Sequence, residues 1–225
     1  AWQQQRDAIA AHADPARLSL LAAAESAGAL TAAEMHHAGL PWSAAADDAL
    51  LTEALGARPA PGRRPARLDA LATEVERLLG VGPLLIDSPP ELVKALRRGG
   101  LDVATTRSAE LKRLDHPAIA PLLQYKTLSR LHTANGWNWL DEWVHDGRFR
   151  PTFVPGGVVT GRWASDGGGA LQLPKQVRAA VQADPGWALV VADAAQLEPR
   201  ILAALSGDTA MARAGAVSAR PGACA

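Results

Sequence analysis

Apolar residues recur at spacings of three and four over Leu68, Leu71, Val75, Leu78 and Leu79, the signature of one helix face turned to a core. Gly80 or Gly82 ends that helix. Upstream, residues 1–60 are rich in Ala, Leu and Glu and read as helical, punctuated by Pro15 and by Gly39-Leu40-Pro41. Segment 57–65, with Pro59, Pro61, Gly62 and Pro65, is a loop, because proline removes donors from regular hydrogen bonding. Asp87-Ser88-Pro89-Pro90-Glu91 reads as a helix start with Ser88 as the cap and proline in the first turn. That helix runs through Leu92, Val93 and Leu96 to Gly99-Gly100. A polar stretch follows at Thr105 to Ser108. Another helix begins near Pro117 and puts Ile119, Leu122, Leu123, Leu128 and Leu131 on its apolar side.

The pattern changes after about residue 136. Phe149, Phe153, Val154, Val158 and Val159 sit among glycines and prolines and predict short strands. Gly167-Gly168-Gly169 is a flexible turn. Residues 187–192 form a short, wholly apolar strand, and residues 196–206 an amphipathic helix. The fold class is therefore α+β, mostly helical through residue 135. Trp137, Trp139 and Trp143 form a core stripe rather than a base-stacking surface.

Composition narrows the function classes. The 225 residues carry a formal net charge of zero, so no broad basic face marks a nucleic-acid partner. Local pairs remain, namely Arg63-Arg64, Arg97-Arg98 and Arg148 with Arg150, and short basic pairs are ordinarily solvated surface. The single cysteine, Cys224, permits no internal disulfide, which fits a cytoplasmic compartment. No apolar run is long enough to span a bilayer. The start, Ala1-Trp2-Gln3, has neither Met nor the apolar core of a signal peptide, so the chain reads as a piece of something longer. The six histidines show no metal-ligand spacing and read as surface residues, and the glycine run lacks the Lys-Ser or Lys-Thr of a phosphate loop.

Three ordered blocks resemble family A (polymerase I type) DNA polymerases, in particular the bacterial subgroup with a 3′–5′ exonuclease domain ahead of the polymerase. Asp87-Ser88-Pro89-Pro90, then Thr105-Thr106, then Leu122 to Leu131 with Tyr125, Lys126 and Arg130, resemble the thumb, which in the family grips the primer–template backbone. Thr160-Gly161-Arg162-Trp163-Ala164-Ser165 and Leu171-Gln172-Leu173-Pro174 resemble T-G-R-L-S-S and L-Q-N-I-P, one residue short before the proline. Val177-Arg178, Asp184-Pro185-Gly186 and Trp187 through Asp208 resemble the approach to motif A and motif A itself. Glu25 to Leu40 resembles the segment joining exonuclease to thumb. The resemblance implies an upstream-domain tail over residues 1–20, a helical connector and thumb over 21–135, and the start of a palm over 136–225 that stops before the fingers.

The implied activity is template-directed DNA synthesis in replication and repair, by a monomer acting on primer–template DNA and deoxynucleoside triphosphates. Two Mg²⁺ ions held about 4 Å apart by carboxylates are the expected cofactors. Asp193 matches the aspartate that bridges both ions, and Ala194 replaces the usual Tyr but still offers a backbone carbonyl. Glu198 matches the glutamate that excludes a 2′-hydroxyl, and Gln196 and Arg200 match supporting positions. Arg162 and Gln172 match residues at the primer-end minor groove, where a donor tests pair shape without reading sequence. Arg178 is a DNA contact or a palm salt bridge. Without the flanking matches, Asp193 reads as a helix cap, Glu198 as a first-turn carboxylate favoured by the helix dipole, and Arg162 as a surface arginine.

Neither a fingers helix nor a later His-Asp-Glu turn occurs in the sequence, so the fragment is expected to be inactive alone. Two other readings stand beside this one: a non-catalytic duplex-binding module, and an unrelated helical interaction protein.

Overall fold

The structure is a computed structural model that describes residues 2–217. It divides into two compact units, Ala1–Gln182 and Ala183–Ala225. Cys224 and the end of the sequence lie outside the described residues.

The first unit begins with α1 (Trp2–Ala10) and α2 (Pro15–Ala38). Asp14 starts α2 by accepting the Arg17 N–H at 3.0 Å, with Pro15 as the first helical residue. Gly39, at φ 66°, ends it, and strand β1 (Leu40–Pro41) follows. The Ser43 hydroxyl then accepts the Ala46 N–H at 3.2 Å and opens α3 (Ala44–Leu55). Helix α4 (Ala66–Leu79) buries Leu68, Leu71, Ala72, Val75 and Leu79, the face that the leucine spacing marks, and Gly80 closes it in the left-handed conformation.

Helix α5 (Pro89–Arg98) starts where expected, but Ser88 makes no side-chain cap bond. Pro89 and Pro90 have no N–H to offer it, so one of the usual donors is missing. Helix α6 (Ser108–Leu111) is short. The carboxylate of Glu110 accepts from the Ala104 and Thr105 amides and the Thr105 hydroxyl, closing the preceding loop. Helix α7 (Ile119–Asn135) buries Ile119, Leu122, Tyr125 and Leu131, whereas Leu123 and Leu128 are only half-buried. Helix α4 packs along α7.

Helix α8 (Trp137–Trp143) leaves α7 at Gly136, where a Cβ would lie 2.3 Å from the His132 carbonyl oxygen, so only glycine fits. Strands β2 (Val144–His145) and β3 (Arg148–Phe149) form a hairpin around Asp146-Gly147. Both turn residues have positive φ, 51° and 69°, as a two-residue turn that follows strand twist requires. β1 adds to β3 antiparallel, giving the order β1-β3-β2. A second antiparallel pair joins β4 (Thr152–Val154) to β5 (Ala164–Asp166). Two 3₁₀ turns, Ala170–Gln172 and Lys175–Ala180, end the unit. The second is tied to α3 by Ser43 N–H donating to the Ala180 carbonyl at 2.7 Å.

The core spans both the helices and the small sheet. Trp42, Trp139 and Phe149 meet at centroid distances of 5.1, 5.8 and 4.9 Å, and the tryptophan stripe is core, with Trp143 half-buried at its edge. His132 corrects the surface reading of the histidines. It is half-buried, edge-on to Trp137 at 6.3 Å, and its Nδ1 has no hydrogen-bond partner. Burial holds its pKa below the ordinary histidine range.

The second unit holds α9 (Leu197–Ser206) and α10 (Thr209–Val217), joined through Gly207 at φ 69°. Asp208 accepts the Ala210 and Met211 N–H groups at 2.9 and 3.0 Å and so starts α10. Two expected strands do not form. Val158 and Val159 lie in turns, and residues 187–192 have no strand partner among the described residues. Val190 and Val191 are 91% and 92% exposed. An apolar run becomes a strand only when a neighbour takes up its backbone hydrogen bonds, and none does here.

Asp47 supplies a test of the core. It is wholly buried and accepts the Trp42 indole N–H at 3.1 Å. Desolvation pushes its pKa up to about 6, partly opposed by that bond and reinforced by nearby Asp48. Because the folded value lies above the unfolded one, its favourable contribution is complete below about pH 4 and is lost as pH rises through about 6. The Asp47→Asn variant keeps an acceptor for Trp42 but cannot ionise. Its stability relative to the parent is expected to improve by about 2 kcal/mol between pH 4 and pH 7, measured by urea denaturation at both pH values.

Candidate nucleic-acid interface

Lys126 and Arg130 are four residues apart on α7, so both side chains leave the helix on one side. They line a groove of about 550 Å³ with Gly168, Gly169, Gln172 and Gln176 on its other wall. Thr127, Asn135 and Ser108 add polar groups, and no Asp or Glu lines it. Neither Lys126 nor Arg130 makes an ion pair among the described residues. Partial burial without a counter-ion holds the Lys126 pKa below the ordinary lysine range. A polyanion would relieve that cost, since an opposite charge nearby favours the ammonium form.

The other wall is set by glycine. Gly167, Gly168 and Gly169 have φ of 78°, 60° and 61°. The Gly169 carbonyl accepts the Gln172 N–H at 2.8 Å and starts the 3₁₀ turn that carries Gln172. Gln172 is exposed, with its amide free to meet a ligand at the groove.

The remaining expected site residues of the first unit are not groove-lining. Arg178 donates from Nε to the Leu173 carbonyl at 3.1 Å and braces the turn beside the groove. Arg162 is exposed in the connection between β4 and β5. Of the basic pairs, Arg64 is tied to Asp87 at 2.8 Å and lies over the Tyr125 ring, and Arg97 donates to the Val103 carbonyl. Arg150 reaches the His37 and His145 carbonyls. These arginines hold the fold.

In the second unit, Asp193, Ala194, Gln196 and Glu198 are all exposed. Asp193 lies in the irregular segment before α9, not at the end of a paired strand. Gln196 takes the left-handed conformation at φ 52° as the residue before the helix, and Glu198 falls in its first turn. Arg200 donates to the Ala195 carbonyl at 2.9 Å and to the Gly215 carbonyl at 2.7 Å, tying the bend at Gln196 to α10. Asp193 and the Ala194 carbonyl are hard oxygen donors of the kind Mg²⁺ prefers. Among the described residues no three His, Cys, Asp or Glu side chains cluster to hold a metal. The pair therefore fits Mg²⁺ as a partial set, completed by water and by a ligand's phosphate oxygens.

In the sequence Lys126 and Arg130 stand out only as part of the thumb-like block and Gly167 to Gly169 only as a turn, and Gln176 is not marked at all. The available signal was a Lys and an Arg at i and i+4 on an otherwise amphipathic helix. Gly168 gives a check on the wall. A Cβ there would lie 2.5 Å from the Phe149 ring at a φ of +60°. The Gly168→Ala variant is expected to lose about 2–4 kcal/mol of stability, read from urea denaturation midpoints.

The family model described as DNA polymerase family A matches residues 63–217. The chain is 32% identical over 135 residues to DNA polymerase I of Chloroflexus aurantiacus, covering 56% of this chain and 14% of that protein. It is 30% identical over 166 residues to the thermostable DNA polymerase I of Thermus filiformis, covering 65% of this chain and 20% of that protein. The chain thus spans a fifth or less of the length of these relatives. In fold it is similar to the polymerase domain of Pol1 from M. smegmatis, whose structure is a complex with DNA primer-template and dNTP. The TM-score is 0.65 at 24% identity, over 80% of this chain and 33% of that one.

Proposed function

This chain belongs to DNA polymerase family A, and we propose that it serves template-directed DNA synthesis as the duplex-gripping and motif A portion of a larger polymerase. In this reading residues 1–20 are the tail of an exonuclease-like domain, 21–135 the connector and thumb, and 136–225 the first part of the palm. Its partners are primer–template DNA and deoxynucleoside triphosphates, the ligands present in the M. smegmatis complex. The observation that carries the proposal is the groove with two unpaired cationic side chains, two glutamines and no acidic lining.

Each group has a task. Lys126 and Arg130 neutralise phosphates, which gives sequence-independent grip and orientation. Gln172 offers an amide to minor-groove acceptors, which are nearly alike for all base pairs. Arg162 serves the primer end and Arg178 braces Gln172 or the duplex. Asp193 and the Ala194 carbonyl would hold Mg²⁺, which would supply activation of the primer hydroxyl and charge stabilisation at the transferred phosphate. Glu198 excludes a ribose 2′-hydroxyl, and Gln196 shapes the bend that presents both acids. A monomer working in the cytoplasm, in replication and repair, belongs to the same reading. No described helix is long and apolar enough to cross a membrane.

Labelled primer–template duplex titrated with the 225-residue chain across a KCl series tests the groove. The logarithm of affinity is expected to fall linearly with the logarithm of salt. Lys126→Ala and Arg130→Ala should each reduce the slope by about 1 and weaken all sequences alike. Binding that ignores salt rejects the assignment. A separate assay addresses chemistry. Asp193 brings one motif A carboxylate where two-metal transfer needs more, so the purified chain is expected to bind primer without extending it. Templated extension would overturn that expectation.

A further inference from the structure

We propose that Trp139 is a positioning residue for the groove: its indole N–H fixes the Gly168 carbonyl and thereby holds Gly169 and Gln172 where they meet the duplex. The inference rests on the reading of the groove as a duplex site and adds the part that sets its shape.

Glycine enters the left-handed region without strain, but it leaves as readily, because both signs of φ are open to it. A run such as Gly167-Gly168-Gly169, all at positive φ, therefore has no stiffness of its own. Something outside the run must hold it. The Trp143 ring closes on Gly167, where a Cβ would come within 2.1 Å of it, and Phe149 closes on Gly168. These contacts limit the space without fixing the peptide's orientation. The hydrogen bond from Trp139 Nε1 to the Gly168 carbonyl, 2.8 Å long, does fix it. The next carbonyl, that of Gly169, is the one that starts the turn bearing Gln172.

Trp139 can act as a rigid post because it is itself clamped. It is buried, with Trp42 5.1 Å and Phe149 4.9 Å away between ring centroids. It does not line the groove, whereas Gly168, Gly169 and Gln172 do. Any influence on a bound duplex must therefore pass through the glycine turn. A buried tryptophan spends its N–H on some acceptor in any case. Here the acceptor is a backbone carbonyl of the glycine wall.

The test is a binding cycle on the 225-residue chain with labelled primer–template duplex, read by fluorescence anisotropy at several salt concentrations. Trp139→Phe removes the indole N–H, and Gln172→Ala removes the amide. Each is expected to weaken binding about 3–10-fold. The double variant should be no weaker than the poorer single one, since both remove the same contact. The salt slope should stay at the parent value, because Lys126 and Arg130 are untouched. Trp137→Phe is the control for general damage. It loses an equivalent bond, from Trp137 Nε1 to Asp48 at 2.7 Å, on a residue that does not line the groove. It should lower Tm while leaving Kd within about twofold.

If Trp139→Phe does not fold, Gly169→Ala loosens the same turn without touching the core. Its Cβ meets nothing within 4 Å, while its φ of +61° disfavours alanine. The same non-additive loss with Gln172→Ala is expected. Parent-like affinity in a folded Trp139→Phe or Gly169→Ala variant, or losses that multiply independently of Gln172, overturns the positioning role. Absence of salt-dependent binding by the parent chain overturns the duplex reading of the groove itself, a separate and recognisable result.

Discussion

Burying a tryptophan yields its full stabilisation only if its indole N–H is satisfied, and this constraint organises the first unit. Each ring removes about 150–250 Å² from water, worth on the order of 4–6 kcal/mol by area. Leaving its N–H unpaired returns about 1–3 kcal/mol of that. Trp42 donates to Asp47, Trp137 to Asp48, and Trp139 to the Gly168 carbonyl. Two of these acceptors sit side by side on α3, and the third lies at the groove wall. The core thus fixes α3, α8 and the glycine turn to one another, at the expense of an aspartate buried with its other oxygen unpartnered.

The net charge of zero and the cationic groove are compatible because the acids are placed elsewhere. Arg64 meets Asp87, Arg58 meets Asp141, Arg77 meets Glu74, and Lys94 meets Glu91. Exposed pairs of this kind contribute little stability. Their consequence here is spatial, since they occupy cations away from the groove and leave its lining without an acid. A whole-chain sum of charges misses that segregation, whereas the local field that a polyanion meets depends on it.

What the sequence made legible follows the range of the physics involved. Leucine spacing marks the buried face of α4, and Gly80 its end, because both are local. The tryptophan stripe is likewise visible, since aromatic bulk in an alanine-rich chain has little other use. The strand over residues 187–192 was misread because apolar composition reports a preference to pair, and pairing needs a partner the pattern cannot name. Ser88 marks the start of α5 correctly, yet the proline pair beside it removes one of the two donors its hydroxyl ordinarily serves. The groove was half legible. Gln172 and the block holding Lys126 and Arg130 are each visible by motif, but that they line one groove shows only when the glycine turn, some forty residues later, is folded against α7.

The proposed roles ask different things of the two units. Grip needs cations near phosphates and a polar amide at a fixed depth. The first unit has cations and an amide lining one groove, and a core tryptophan, Trp139, is bonded to the groove's glycine wall. Metal chemistry needs several carboxylates converging on one point, and the second unit holds Asp193 in an exposed, unpaired segment. Its Arg200 clamp secures only the bend at Gln196 and the approach of α10. Positioning a carboxylate to tenths of an ångström demands neighbours on both sides of its strand, which a hairpin of two short helices does not provide. The proposed grip therefore rests on packed groups of the first unit, whereas Asp193 stands in an exposed segment with no strand partner among the described residues.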